Sequence, residues 1–227
     1  MIGTGKRCVL VSGGLDSAVA LAEAAREGPV APVYVRSGLA WEPAEMYWLM
    51  GFLQTIGAPP LVVLDLPVAD LYGTHWSLTG DDPPGAESPD GAVYLPGRNL
   101  LLLSKAGVWA VESGCEAIVL GPLAANPFPD GTRAFFDAMG ETIGLAMGLG
   151  APLPIETPLS GLSKAEVVRR GAGLPLELTF SCLNPTPDHR HCGACNKCAE
   201  RRKGFAEADV EDPTAYAYGS RAGAGST

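Results

Sequence analysis

Two familiar nucleotide-binding signatures are absent from this chain of 227 residues. It has no GxxxxGKS/T segment, which excludes a phosphate loop of the Walker type, and no GxGxxG segment, which argues against dinucleotide binding. Basic residues are also scarce, because 16 Lys and Arg stand against 25 Asp and Glu and give a net charge of -9. An acidic chain is a poor binder of polynucleotide phosphates. We therefore expect a small-molecule or protein substrate and no nucleic-acid partner.

Long apolar runs are missing as well. None reaches the roughly 20 residues that cross a bilayer, and no extended apolar leader follows the first residues. We therefore expect a cytoplasmic protein without a membrane partner. In that reducing compartment, clustered cysteines bind metal more often than they form disulfides. The hydrophobic fraction of 47% against 18% charged residues nevertheless allows a sizeable core.

Short apolar runs alternate with helical stretches between residues 7 and 151. This pattern favours an α/β fold, in which helices cover both faces of a parallel sheet. Strands are predicted at residues 7–12, 30–35, 60–65 and 117–120. Helices are predicted at residues 17–27, 42–56, 99–113, 132–149 and 163–171. Residues 79–91 are rich in Pro, Gly and Asp, which predicts a loop. A mobile loop or a lid is one hypothesis for it.

The most informative segment is VSGGLDSAVAL, residues 11–21, which directly follows an apolar run. Its two glycines permit a tight turn and a close approach of the backbone to a ligand. The helix that follows points its electropositive N-terminus at an anion. The predicted phosphate-binding residues are Val11, Ser12, Gly13, Gly14, Leu15, Asp16, Ser17, Ala18 and Val19. The alternative is a purely structural turn, with Asp16 or Ser17 as an ordinary N-cap.

Four of the six cysteines are clustered near the end of the sequence, with the spacing C-x9-C-x2-C-x2-C: Cys182, Cys192, Cys195 and Cys198. Four thiolates at this spacing can close on one tetrahedral Zn²⁺, and a site with no open position is structural. An iron–sulfur cluster is the competing prediction, because CxxCxxC also occurs there. His189 and His191 lie inside the cysteine loop and are expected to face solvent or substrate. Cys8 and Cys115 are expected in the core.

Four segments carry a resemblance to a known family. They are VSGGLDS at 11–17, YLPGRNLLLLSKA at 94–106, TPLSGLSKAEVV at 157–168 and TFSCLNPTPDHRHCGACNKCAERRKGF at 179–205. SGGxDS resembles the signature of the PP-loop ATP pyrophosphatases. Together the four segments resemble the 7-cyano-7-deazaguanine (preQ0) synthase, or QueC, family over nearly the whole chain.

The resemblance implies a fold and a division of the chain. The fold is a Rossmann-like (adenine nucleotide alpha hydrolase-like) parallel sheet with a small C-terminal zinc-binding element at the edge of the active site. We expect an ATP-binding domain at residues 1–175, the four-cysteine zinc-binding element at 176–212 and a flexible tail at 213–227. A homodimer is implied by the family alone.

The resemblance also implies the chemistry. The family takes 7-carboxy-7-deazaguanine, ATP with Mg²⁺, and ammonia. ATP adenylates the carboxylate, ammonia displaces AMP to give an amide, and a second adenylation of the amide leads to the nitrile. A carboxylate oxygen is a poor leaving group and AMP is a good one, so the enzyme mainly positions reactants and stabilises developing charge.

Catalytic roles follow the motif positions. Asp16 is expected to help hold Mg²⁺, and Lys164 to neutralise the β and γ phosphates. The alternative for Lys164 is an ordinary surface lysine. Arg98 is a candidate for a phosphate or for the substrate carboxylate, or else braces its loop. Asn99 could cap the next helix or contact a ligand.

Two segments depart from the family pattern, and both are expected at the carboxyl ends of strands, where ligands bind. Residues 37–41 read SGLAW in place of a Tyr-Gly-Gln-Arg-His stretch. Residues 121–139 keep little beyond Pro129, Asp130, Arg133 and the following phenylalanines. The acceptor half is therefore altered, with candidate substrate contacts at Arg98, Asn99, Trp41, Phe128, Asp130 and Arg133. Trp41, Phe128 or Phe135 could stack on a flat heterocycle, although each is more often a core residue.

Four alternatives remain open at the level of sequence. The enzyme could stop at the amide, or join the activated acid to a different amine on a small molecule or a protein. A tRNA-modifying PP-loop enzyme fits the cysteines but not the acidic charge. The most distant alternative is a nucleotide-binding module without catalysis.

Overall fold

The computed structural model describes residues 5–218, which form one five-stranded parallel sheet with the strand order β3-β2-β1-β4-β5. The strands are β1 Arg7–Leu10, β2 Val30–Arg36, β3 Val62–Asp65, β4 Ala117–Val119 and β5 Ile155–Glu156. The predicted α/β, Rossmann-like architecture is confirmed. The four predicted strands are all present, and the two-residue β5 is an addition to them.

Eight α-helices connect and follow these strands in the described part of the chain. They are α1 Leu15–Glu27, α2 Glu42–Thr55, α3 Ala69–Tyr72, α4 Trp76–Thr79, α5 Arg98–Glu112, α6 Arg133–Ala146, α7 Lys164–Arg170 and α8 Asn196–Ala208. The five predicted helices match α1, α2, α5, α6 and α7. Ser163 and Glu166 form a capping box at the start of α7.

The core has one layer on each face of the sheet. Alternate residues of β1 point to opposite faces, as a strand requires, so Val9 and Cys8 belong to different layers. The first layer contains side chains of α1, α2, α7 and α8, including Phe52 and Phe205. The second contains α5 and α6, including Phe136. Burial raises the pKa of the Cys8 thiol to about 12, which fits the predicted core role.

A third cluster surrounds the four clustered cysteines and includes Trp41 and Phe180. Residues 81–89 lie against it, because Gly85 forms an antiparallel bridge with Cys195 and the Ala86 N–H donates to the Ala194 carbonyl. The Asn196 side chain also donates to the Ser88 carbonyl. The loop predicted at 79–91 is therefore anchored on the cysteine element and is not an open lid.

The beginning of the predicted tail also belongs to this element. The Tyr218 N–H donates to the Cys192 carbonyl and the Ala217 N–H to the His191 carbonyl. Thr214 is buried against Arg201, whose Nε donates to its hydroxyl at 2.6 Å. The boundary expected at residue 212 is corrected accordingly: residues 213–218 pack with the cysteine element, and 219–227 lie outside the described residues.

The chain changes direction between β1 and β4. It first adds β2 and β3 on one side of β1, then β4 and β5 on the other, so the carboxyl ends of β1 and β4 border a topological switch point. The loop after β1 carries the glycines, and Gly121 lies just beyond β4. A Cβ added to Gly121 would lie 3.1 Å from the carbonyl oxygen of Asp16. A side chain at residue 121 would therefore crowd the start of α1.

We expect Gly121→Ala to lower the free energy of unfolding by about 1–3 kcal/mol, because overpacking displaces the backbone of Asp16. Urea unfolding measures the change. Gly161→Ala is the matched control, since no atom lies within 4 Å of its added Cβ, and replacing glycine without strain is neutral or stabilising. Equal effects of the two substitutions would contradict the close approach at Gly121.

Candidate functional site

The glycine-rich loop after β1 closes on itself and on the cysteine element. The Ser12 N–H donates to Ser17 Oγ at 3.2 Å, and Ser17 Oγ donates to the Gly14 carbonyl at 3.0 Å. Gly13 has a φ of +74°, and an added Cβ would lie 3.0 Å from the Glu45 carbonyl oxygen. The Gly13 carbonyl accepts a hydrogen bond from the Phe180 N–H at 2.7 Å. Glycine is therefore required at residue 13 by both conformation and space.

The N-cap of α1 is Gly14, so no N-cap side chain accepts a hydrogen bond from the first N–H groups of the helix. The interpretation of Asp16 or Ser17 as an ordinary N-cap is therefore wrong, because both lie inside the helix. Their side chains are left for other partners at the switch point. The first N–H groups of α1 lie beside the loop, the arrangement that binds phosphate in other α/β proteins.

Lys164 is brought to this loop from α7. Its Nζ lies 2.9 and 2.6 Å from the two carboxylate oxygens of Asp16, 148 positions away in the sequence. Lys164 is the first residue of α7, and the capping box fixes where that helix begins. Only 17% of its side chain is exposed, so the alternative of an ordinary surface lysine is wrong. The structure thus unites two of the three predicted catalytic residues.

A second carboxylate, which the sequence did not reveal, shares the same lysine. Lys164 Nζ lies 2.9 Å from Glu200 Oε1, and Lys197 Nζ lies 2.6 Å from Glu200 Oε2. Burial alone would raise the pKa of Glu200, but Lys164 and Lys197 outweigh it and lower that pKa to about 2. Burial likewise opposes the charge of Lys164, but Asp16 and Glu200 raise its pKa above the usual value. Lys164 and Glu200 are therefore both charged at neutral pH.

The four clustered cysteines are buried, and their sulfur atoms all lie within 4.8 Å of one another. Two of the Sγ–Sγ distances are 3.9 Å. A tetrahedron of Zn–S bonds of about 2.3 Å has edges of about 3.8 Å. Backbone N–H groups of Leu183, Cys192 and Gly193 donate to the sulfurs, as thiolate ligands require. The residues therefore fit one tetrahedral metal ion with no open position.

The two histidines of the cysteine loop differ in their surroundings. His191 is buried between Phe180 and Tyr216, and its Nε2 accepts a hydrogen bond from the Ser181 N–H at 2.9 Å. Burial lowers the pKa of His191 to about 3. The expectation that His191 faces solvent or substrate is wrong, since it fills the space behind the metal site. His189 lies beside the exposed ring of Tyr47.

Arg98 opens α5 on the other side of the switch point. It follows Gly97, whose φ of +72° lies in the left-handed region that favours glycine. Arg98 lines a small cavity together with Ser37, Leu39 and Tyr72. Its Nε is buried and has no hydrogen-bond partner among the described residues. A guanidinium with an unpaired, buried N–H is a candidate partner for an anion, although the cavity itself, of about 10 Å³, has room for no more than a water molecule.

A buried carboxyl group lies close to Arg98. Glu45 accepts hydrogen bonds from the Tyr34 hydroxyl at 2.7 Å and from Trp41 Nε1 at 3.1 Å. Burial raises the pKa of Glu45 to about 7, although Arg98 and these two donors oppose the shift. Neighbouring Glu42 adds to it. Glu45 therefore binds its proton more tightly in the folded chain than in the unfolded one.

This pKa predicts a pH dependence of stability. The folded chain retains the Glu45 proton up to about pH 7, whereas the unfolded chain releases it near 4.5, so stability falls as pH rises through that window. Glu45→Gln removes this loss, on the order of 3 kcal/mol. Its unfolding free energy should exceed that of the unmodified chain at pH 8 but not at pH 4.5. Urea unfolding across this range tests it, with exposed Glu141→Gln as control.

The remaining predicted substrate contacts make internal contacts. Asn99 and Asp130 join the start of α5 to the altered segment at 121–139: the Asn99 N–H donates to Asp130 Oδ2 at 3.0 Å and its side chain to the Asp130 carbonyl at 2.8 Å. Asn99 is not the N-cap of α5, which is Gly97. Arg133 pairs with Asp137 and donates to a backbone carbonyl of β5.

The predicted aromatic contacts also have partners in the chain. Trp41 stacks on Trp76, with ring centroids 5.6 Å apart, and is buried. Phe128 stacks on Tyr94 at 4.8 Å. Phe135 contacts the edge of Phe136. Trp41 is thus a core residue, whereas Phe128 is half-buried on the ring of Tyr94.

The parallel sheet, with the glycine-rich loop at its switch point, places the protein in the Rossmann-like class of α/β folds. A family model, described as the queuosine biosynthesis protein QueC, matches residues 6–209. The chain therefore belongs to the QueC family.

Curated relatives support this assignment over nearly their full length. The 7-cyano-7-deazaguanine synthase of Syntrophotalea carbinolica is 36% identical, covering 93% of this chain and 96% of the relative. That of an Azoarcus species is 35% identical, covering 92% and 95%. A solved structure, the U34-tRNA thiolase NcsA of Methanococcus maripaludis with its iron–sulfur cluster, is 15% identical with a TM-score of 0.47, covering 92% of this chain and 74% of that one. So distant a likeness carries no argument.

A membrane-spanning helix needs both length and apolar character. None of the helices within residues 5–218 combines the two.

Proposed function

We propose that this chain is an ATP-dependent, AMP-forming ligase that converts 7-carboxy-7-deazaguanine and ammonia to 7-cyano-7-deazaguanine. The observation that carries the proposal is the ion pair of Lys164 with Asp16 at the glycine-rich loop, in a chain whose relatives bear the name of that synthase. The proposed compartment is the cytoplasm and the proposed assembly is a homodimer.

The glycine-rich loop and the N-terminus of α1 would bind the phosphates of ATP. The acid's carboxylate oxygen attacks the α phosphorus, the bond to pyrophosphate breaks, and Lys164 neutralises the charge that develops on the departing pyrophosphate. Asp16 is the residue that would hold Mg²⁺, whose role is to offset phosphate charge. The N–H groups at the start of α1 orient the nucleotide throughout.

Ammonia then attacks the acyl carbon, and AMP leaves with the bonding electron pair to give the amide. The amide oxygen attacks a second ATP at the α phosphorus and releases a second pyrophosphate. Loss of AMP and two protons from the amide nitrogen leaves the nitrile. Each expelled oxygen leaves as part of AMP, so one set of phosphate-binding residues would serve both halves of the reaction.

Arg98 is the proposed partner of the acid. Its unpaired, buried Nε suits a planar carboxylate, which the cavity beside Ser37 would have to widen to admit. The metal site is proposed to hold Zn²⁺ in the four thiolates, where it would brace the C-terminal element. The proposed division remains an ATP-binding domain and a four-cysteine element, although Phe205 of that element lies in the main core.

A second candidate is a QueC-type ligase that joins its activated acid to a different amine, or stops at the amide. The altered segments at 37–41 and 121–139 favour this candidate. Trp41 packs against Trp76 and Glu45 and so is not free to contact an acceptor. Asp130 is engaged by Asn99. The acceptor site would thus be built from other contacts than the family pattern implies.

The test is turnover of purified protein with ATP, Mg²⁺, ammonium and 7-carboxy-7-deazaguanine, with products identified by mass spectrometry. We expect the nitrile and two AMP per nitrile. Amide with one AMP would replace the proposal by the second candidate. No AMP above the level measured without the acid would overturn both for this substrate.

A further inference from the structure

Lys164 rests on α8 along its whole length. A Cβ added to Gly204 would overlap Lys164 Cγ, so the stem of the lysine occupies the space that any side chain at residue 204 would fill. One helical turn earlier on α8, Glu200 Oε1 pairs with Lys164 Nζ at 2.9 Å. The stem and the head of Lys164 are therefore both fixed by residues of the same helix.

We propose that Glu200 is a positioning residue, which together with Gly204 holds the ammonium of Lys164 at the phosphate-binding loop. This inference rests on the proposed function, because the role of Lys164 there is to stabilise departing pyrophosphate. If Asp16 holds Mg²⁺ beside the phosphates, Glu200 would be the carboxylate that still pairs with the lysine.

The charge around Glu200 suits such a role. Lys197 pairs with its second oxygen at 2.6 Å, so Glu200 and Lys197 together carry no net charge. A lone carboxylate beside the phosphates would repel them, whereas a neutralised one fixes the lysine without that repulsion. Lys164 itself remains the net positive charge that faces the loop.

The helix that carries Glu200 is itself well anchored. Its N-cap is Cys195 and it includes Cys198, two of the four clustered cysteines. The adjacent Arg201 is buried and donates to the Thr179 hydroxyl and the Leu176 carbonyl. A carboxylate between these anchors has little freedom to move, which is what a positioning role requires.

The first test measures the mobility of the lysine itself. With lysine side chains labelled with ¹³C, NMR order parameters should show Lys164 more rigid than exposed Lys203, which pairs with Glu207 only at 3.8 Å. In Glu200→Gln the order parameter of Lys164 should fall below its value in the unmodified chain, because Asp16 alone of its two described carboxylate partners then remains. Glu207→Gln is the matched control and should leave Lys164 rigid. An unchanged Lys164 in Glu200→Gln would overturn the proposal.

The second test compares the effect of the substitution on kcat with its effect on KM for ATP. Glu200→Gln should lower kcat for AMP formation about tenfold, because a displaced cation loses its hold on the leaving group. KM for ATP should not rise, since the substitution leaves Lys197 as an added positive charge. Unchanged kcat, or a higher KM with unchanged kcat, would contradict positioning. If Glu200→Gln fails to fold, Glu200→Asp, which withdraws the carboxylate by one methylene, should give the same two results.

The two tests also separate this inference from the proposed function. An unmodified chain that forms no AMP from the acid fails the proposed function, whereas the NMR comparison needs no substrate. Rigid Lys164 in the unmodified chain and mobile Lys164 in Glu200→Gln would support positioning whatever acid the enzyme takes.

Discussion

Replacing Lys164 by methionine is expected to lower the rate of AMP formation by about 10²–10³-fold, the usual cost of removing one group that stabilises developing charge. The loss has two sources in the structure. The departing pyrophosphate loses its cation. Asp16 and Glu200, which both pair with Lys164, are left facing each other without that shared cation, so their negative charge opposes ATP as well.

The measurement is steady-state AMP release, with circular dichroism to verify that the variant folds. Lys203→Met is the matched control, because it also replaces a lysine by methionine, at a position on α8 where the side chain is 75% exposed. It should change the rate less than about twofold, since surface ion pairs contribute little. A Lys164→Met enzyme within a factor of about ten of the unmodified rate would be incompatible with the assigned role.

Cys192→Ser is expected to have the other large effect. Loss of one thiolate opens the metal site, and since the energy of a structural metal site is folding energy, the element at 176–218 should lose its fold. The consequence extends to the nucleotide. Phe180 donates to the Gly13 carbonyl, and α8 supports Lys164, so affinity for ATP should fall at least about tenfold.

Metal content per chain, the melting temperature and ATP binding by calorimetry are the three measurements. Cys115→Ala, at a buried cysteine outside the metal cluster, should leave the metal content unchanged. A colourless protein with one zinc per chain is the expected composition, whereas visible absorption with bound iron would assign an iron–sulfur cluster instead. Full ATP affinity in a metal-free Cys192→Ser chain would show that the two sites are independent.

The sheet and the glycine-rich loop were predictable because their signals are local. β1 and β2 are nearly continuous apolar runs, the pattern of strands covered on both faces. The spacing of the four cysteines likewise predicted a cluster that the structure brings within metal-binding distance. In each case neighbouring residues in the sequence carry the whole pattern.

Helix α8 was missed because its buried face does not look apolar in sequence. Cys198, Arg201, Phe205 and Ala208 line that face, and one of the four is an arginine whose charge is satisfied by distant groups. The pairing of Lys164 with Glu200 could not be predicted either, since the sequence does not distinguish a fully exposed glutamate from one that is half-buried against a lysine of another helix. Short β5 offers too few residues for any periodic signal.

The acceptor side was the least predictable part. Trp41 was a candidate for stacking on a substrate, but its partner is Trp76, a contact between a strand-end loop and a four-residue helix. Glu45 lies on α2 like any helical glutamate. Trp41 is only four residues away in the sequence, but the fold is needed to bring Tyr34 of β2 to the Glu45 carboxylate. Such contacts depend on tertiary packing that no local pattern encodes.

The bond between Gly13 and Phe180 has a consequence for how the protein is made. The glycine-rich loop leaves the ribosome early, whereas Phe180, Glu200 and the cysteines are translated much later. A nascent chain that already displays the complete loop still lacks the helix that supports its lysine. On the proposed function, competence to use ATP would therefore be acquired only late in synthesis, and translation products that stop short of α8 would not consume nucleotide.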